Sequence, residues 1–251
     1  MSACVIGACA LACASLAVVR KRISRNEQIT HNDVAGPILT IIGTVLAVMM
    51  SFMTVGVWQE YDGAAQTAQQ EASAISDLHH VADAFPPAMQ RAVQTEVDRY
   101  IILVVNQEWP LMRRGGESRA AHDTAYEIQR TLNHWRAPNS GEQALQVRAL
   151  DLTGTFLDRR RDRILANRQG IPIALWATML FIGTVTVIFS FYFRVDRPQA
   201  QYLMVIAETA VITIIFTLIA ELDYPFRGDI AVDPYSFMHV MNALHGVVNG
   251  T

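Results

Sequence analysis

Glu208 is the residue best placed to do chemistry in this chain. It stands inside an apolar run, residues 201–220, and is the only ionisable side chain within any run long enough to cross a membrane. A carboxylate in hydrocarbon is costly and marks a functional site by default. The plainer reading is a protonated or hydrogen-bonded glutamate facing hydroxyls on neighbouring spans, with Thr40, Thr44, Thr184 and Thr186 as candidate partners. Thr209, Thr213 and Thr217 can bond their own backbone and need no substrate.

The other constellations carry less chemistry. His79 and His80 are adjacent, so on a helix they point about 100° apart and cannot share a metal without distortion. Together with His122 and His134 they read as surface or rim residues. Met238, His239 and Met241 have helical spacing and line an apolar face more readily than they hold a haem. In the run His31-Asn32-Asp33, Asn32 or Asp33 can cap the helix that follows. Asp223 can take free N–H groups or pair with Arg227 across a turn that Pro225 stops and Gly228 relaxes, with Phe226 as its apolar anchor. Cys4, Cys9 and Cys13 lie among Ala, Gly and Ser in one apolar segment, which reads as small-residue packing without a disulfide. The chain has no Ser-His-Asp order, phosphate loop, paired cysteines or zinc-helix motif. The expectation is a non-enzyme without cofactor or metal.

The elements that position these residues are helices. The 251 residues are 51% hydrophobic, with a mean hydropathy of +0.21 and a net charge of −3, which indicate a membrane protein and no nucleic-acid partner. Residues 2–19 form a first span, with Ala3, Gly7, Ala10 and Ala14 as a small-residue stripe for close helix packing. Residues 35–58 form a second span without any ionisable side chain. It continues past Gln59 as an alanine-rich polar helix with no break until Phe85-Pro86-Pro87. Three further helices are expected between 87 and 170. The first runs to Glu108 and is broken by Trp109-Pro110 and Gly115-Gly116. The second occupies about 117–136. The third, about 142–167, has Leu145, Ala149, Leu152 and Phe156 on one face, then a basic tail. Residues 171–193 and 201–220 are the third and fourth spans, and Asp233-Pro234 starts a short helix over 234–247. The fold class is therefore all-α and polytopic, with four transmembrane helices. The organisation is spans at 1–58, an extracytoplasmic bundle at 59–170, spans at 171–220 and an interfacial segment at 221–251.

Several words in this order resemble one family. His31-Asn32-Asp33-Val34-Ala35-Gly36 precedes the second span and Val57-Trp58-Gln59-Glu60-Tyr61 follows it. Glu108-Trp109-Pro110 lies in the bundle, and Leu222-Asp223-Tyr224-Pro225-Phe226-Arg227-Gly228 follows the last span. The chain resembles the bestrophin-like membrane proteins of bacteria, a four-span family of unknown function. That family looks like bestrophin anion channels mainly around the second span, where an aromatic-acidic cluster ends a long helix. Bestrophins place that end in the cytoplasm. The cluster Arg20, Lys21, Arg22 and Arg25 and the hairpin 194–197 instead place residues 59–170 and the N-terminus outside it, in the periplasm of a bacterial inner membrane. Arg159, Arg160, Arg161, Arg163 and Arg168 pull the opposite way, although long translocated segments obey the charge rule weakly.

Two functions follow. One is a non-catalytic structural or accessory subunit of a larger membrane complex, embedded in the lipid bilayer and docking other membrane subunits through its spans and bundle. The other is a bestrophin-like oligomeric anion channel. There the second span lines the pore through Met49, Phe52, Met53 and Gly56, an apolar constriction able to gate by dewetting.

Overall fold

The computed structural model describes residues 2–22, 32–193, 197–244 and 246, with residues 32–35 by their backbone alone. His31, Arg25, Arg194 and Asp196, and the side chains of Asn32 and Asp33, fall outside that description. All regular structure among the described residues is helical, without strands. The order is α1 (Ser2–Arg22), α2 (Asn32–Ala82), α3 (Pro87–Leu103), a π-helical turn (Val104–Glu108), α4 (Trp109–Met112), α5 (Arg119–His134), α6 (Ser140–Ala166), α7 (Ile173–Ser190), α8 (Pro198–Leu222) and α9 (Tyr235–Leu244). Four of these helices, α1, α2, α7 and α8, are long and apolar enough to cross a membrane. The protein is an all-α polytopic membrane protein with a helical bundle inserted between spans two and three. Helix α2 is unbroken over 51 residues, as the absence of proline between Val57 and Phe85 predicts, and Gly63 does not interrupt it.

The helices group into two compact units. The first holds the described residues up to Gln59 together with Ile171–Asp223; the second holds Glu60–Gly170 and the described residues from Tyr224 on. In the first unit α1 packs on α8 through Ala12 and Leu16, which are buried with Val205 and Phe191. Arg20 fixes the rotation of α1 by donating to Gln201 Oε1 at 2.7 Å. The small-residue stripe takes no part in this contact. Ala3, Gly7, Ala10 and Ala14 all face outward, and a Cβ at Gly7 would meet nothing within 4 Å. Leucine and alanine at positions 16 and 12 bury more apolar area than that stripe offers, so they take the contact face. Between α7 and α8 the approach is close at Gly183, where an added Cβ would stand 3.1 Å from the Phe216 ring.

The second unit is a bundle of amphipathic helices around one core. The distal half of α2 contributes Ala64, Ala68, Ala72, Ile75, Leu78 and Ala82 at helical spacing, and α3, α5 and α6 contribute matching faces. Caps set the boundaries. Ser118 Oγ accepts from Ala121 N at 3.2 Å, and Asn139 Oδ1 accepts from Glu142 N at 2.9 Å. The expected break at Trp109-Pro110 does not occur. The wide turn over Val104–Glu108 is followed by α4, with Pro110 in its first turn where a missing backbone donor does no harm. The chain stops at Gly115, whose φ of 79° suits glycine. Helix α9 buries Phe237 in the bundle core, with Val240, Met241 and Leu244 partly covered there, while Met238 faces outward.

Candidate functional site

Glu208 on α8 is half-buried and lines a groove of about 760 Å³ in the membrane unit. The walls come from Met50, Thr54, Thr186, Ile212 and Ile215 among others. The Ser190 hydroxyl lies beside the Glu208 carboxyl and donates to Val187 O at 2.8 Å. The threonines considered as partners are otherwise engaged. Thr40 and Thr44 donate to Gly36 O at 3.0 Å and Thr40 O at 2.7 Å, and Thr186 donates to Ile182 O at 2.8 Å. Thr184 is exposed. Thr217 bonds its own helix as expected.

Met49, Phe52, Met53 and Gly56 share one face of α2 by their spacing of three and four. Phe52 is 73% exposed, Gly56 is exposed, and the two methionines are half-buried. The groove beside Glu208 uses Gly43, Leu46, Met50 and Thr54, which point to the other side of the same helix. The structure therefore brings Glu208 to the back of α2 and leaves Phe52 and Gly56 exposed on its front.

The bundle holds a constellation that sequence reasoning missed. Glu71 of α2, Glu108 at the end of the π turn, and Arg160 and Arg163 of α6 form a buried charge network. Arg163 takes Glu71 in a fork, Nε to Oε2 at 2.6 Å and Nη2 to Oε1 at 3.0 Å, and reaches Glu108 Oε1 at 2.7 Å. Arg160 reaches Glu108 Oε2 at 2.5 Å, and Ser118 N donates to that same oxygen at 3.2 Å. The Tyr100 hydroxyl donates to Glu71. The Arg163 guanidinium also lies over Trp109 at 5.1 Å and Phe237 at 5.6 Å. Two carboxylates thus meet two guanidiniums and every carboxylate oxygen is engaged, which suits a lock on packing better than a reaction centre. A signal existed in the sequence. Arg160 and Arg163 continue the face of Ala149, Leu152 and Phe156, and Glu71 falls in the stripe from Ala64 to Ala82. Ionisable residues in register with an apolar stripe are buried with partners or not at all.

The electrostatics follow from this enclosure. Burial opposes the charge on Arg163, but Glu71 and Glu108 outweigh it and hold the guanidinium charged. Burial and then the Glu71 carboxylate raise the Tyr100 hydroxyl well above its ordinary value, against the opposing pull of Arg163 and Arg160. The folded protein therefore keeps a proton that the unfolded chain loses above about pH 10. Stability from this group is complete below that pH and declines as pH rises beyond it. Tyr100→Phe is expected to flatten the alkaline fall of the melting temperature above about pH 10, measured by thermal scans against pH.

In the post-span turn Asp223 takes free N–H groups, one of the two partners expected for it. Its Oδ1 accepts from Ile171 N at 2.6 Å and its Oδ2 from Trp176 Nε1 at 3.3 Å. Free donors at the start of the third span thus take the carboxylate. Arg227 turns instead to Asn167 O at 2.5 Å and lies over the Tyr224 ring at 4.2 Å. Pro225 O accepts from Val232 N at 2.8 Å, and Gly228 has a φ of 79°. Phe226 is fully buried and stands edge-on to Trp109, centroids 5.7 Å apart. Trp109 Nε1 donates to Val232 O at 3.0 Å.

Four apolar helices long enough to span a membrane and an inserted helical bundle define a class of all-α polytopic membrane protein. Residues 6–237 match the bestrophin-like domain, and the chain belongs to the bestrophin-like family. The fold is shared with solved structures. One, described only as a membrane protein, superposes with a TM-score of 0.73 at 12% identity, covering 98% of this chain and 99% of the other. Two point variants of a bacterial bestrophin homologue from Klebsiella pneumoniae superpose with TM-scores of 0.72 and 0.70 at 13% and 11% identity, each covering 98% of this chain and 99% of that one. No curated protein sequence matches the chain.

Proposed function

We propose that the protein is the subunit of a homo-oligomeric anion channel whose second span lines the pore. The observation that supports this best is the front of α2, where Phe52 stands 73% exposed with Met49, Met53 and Gly56 on the same face. Family membership favours this reading over an accessory subunit, since the resemblance to bestrophin channels centres on this span. Copies arranged around an axis would turn Phe52 into an apolar ring, which resists water and ions until it widens. The role asks for no catalysis and no docked hetero-subunit.

Reconstitution into chloride-loaded liposomes tests the reading, with native mass spectrometry of the gently solubilised protein alongside it. A closed ring of copies with chloride efflux is the expected result. Phe52→Ala should raise that efflux by about tenfold, equivalent to lowering a barrier by ~1.4 kcal/mol. Efflux of cations alone would remove the anion assignment and leave the pore. A single copy bound to other proteins, with no flux, would return the accessory-subunit reading.

Orientation is a separate proposal. The basic residues of the two short connections argue for a bundle outside the cytoplasm. In the bundle, Arg160 and Arg163 are consumed by the buried network, and Arg168 lies 3.2 Å from Glu117. Ser118→Cys is too buried to report, so the exposed Arg119→Cys is the better probe. It should react with an impermeant maleimide in intact cells. Labelling only after lysis would place the bundle in the cytoplasm, as in bestrophins.

A further inference from the structure

We infer that the groove behind α2, between the second, third and fourth spans, is a binding site for a hydrophobic amine, a single ammonium head on an apolar tail. The groove's volume, about 760 Å³, lies in the range of small-molecule sites. Its walls are aliphatic apart from a few hydroxyls and one carboxylate, Glu208. Among the described residues no Lys, Arg or His lines it, so none of them supplies a cation to that carboxylate from the groove. The occupant that complements the groove must bring the positive charge itself.

The donor set narrows the class. A bare metal ion needs several oxygen ligands, and a divalent one prefers six or more. The groove offers one carboxylate, and no group of three or more metal-ligating side chains exists among the described residues. An ammonium needs only about three acceptors. Glu208 supplies the charged one. The hydroxyl oxygens of Thr54 and Thr186, which donate their protons to Met50 O and Ile182 O, retain lone pairs to accept from it. Met50, Ile212 and Ile215 then take the tail. A free carboxylate ligand is excluded by repulsion from Glu208, and an alcohol forfeits the charge.

The site stands independently of the pore, because binding is measured directly. The probe is decylamine bearing a diazirine on its chain, cross-linked to the intact protein in nanodiscs and mapped by mass spectrometry. Labelling is expected on residues 43–55, around Thr186 and on residues 207–218. Unlabelled decylamine should suppress it at concentrations at least about tenfold below those of decanol or decanoate, a difference of ~1.4 kcal/mol. Glu208→Gln should erase the preference for the amine, and Ile212→Trp, which fills the groove, should erase the labelling. Equal competition by decylamine and decanol in the unaltered protein would overturn the proposal and leave a groove filled by lipid chains. Labelling confined to residues away from these three segments would overturn it outright. The competition series needs no variant, so a Glu208→Gln protein that fails to fold does not shield the proposal.

Discussion

Arg163→Met is expected to be the most damaging single substitution in the bundle, costing about 3–5 kcal/mol of stability. It removes the fork on Glu71, the bond to Glu108 and the cation held over Trp109 and Phe237 in one step. Two carboxylates then remain fully buried with only Arg160, Tyr100 and Ser118 to answer them. The cost comes from stranding those charges rather than from the worth of the pairs, which can be small against a well-packed apolar replacement. The double variant Glu71→Gln with Arg163→Met should therefore recover part of the loss, leaving Glu108 paired with Arg160. Thermal scans of the purified proteins decide the matter. An unchanged melting temperature in Arg163→Met, or a double variant worse than the sum of its parts, would show that the network is not what holds these helices together.

The second large effect is expected at Phe226. Its ring is fully buried against Trp109, and Phe226→Ala should lower stability by about 3–5 kcal/mol, the range for a deleted core aromatic. The same argument says what should not change. Phe226 lies in the unit that excludes the second-span stripe and the Glu208 groove, so ion flux per folded protein should stay as it was. A variant that melts normally but conducts differently would move the turn after the last span from packing to function.

The fold was legible because its signals are local and repeated. Charge-free runs identify the spans, and the polar continuation of the second span, without proline, predicts the long helix that α2 is. Helical spacing in residues 87–104 and 121–135 predicts the bundle faces. The failures have a common cause, which is competition between partners. Ala3, Gly7, Ala10 and Ala14 form a real stripe, but Leu16 on another face of the same helix offers more area to α8. For Asp223, expected to take free N–H groups or Arg227, the backbone N–H of Ile171 wins, and Arg227 takes a carbonyl. Glu71 and Arg163 lie 92 residues apart and meet only once three helices are in place. For Glu208 the sequence specifies depth and charge, while the groove beside it depends on how three spans pack.

The π-helical turn at Val104–Glu108 has a consequence for chain length. Such a turn is an ordinary helical turn carrying one residue more than it needs. Asn106 and Gln107 bulge towards solvent, while Val104 before them and Glu108 and Trp109 after them point into the core. Deleting Asn106 would let the backbone relax into regular α-helix with both flanks in their present phase, Tyr100 still facing Glu71 and Trp109 still under Val232. The same deletion two turns earlier, between Val93 and Tyr100, would swing every later side chain by about 100°. This helix therefore has one place where the gene can lose a codon without a loop to absorb it.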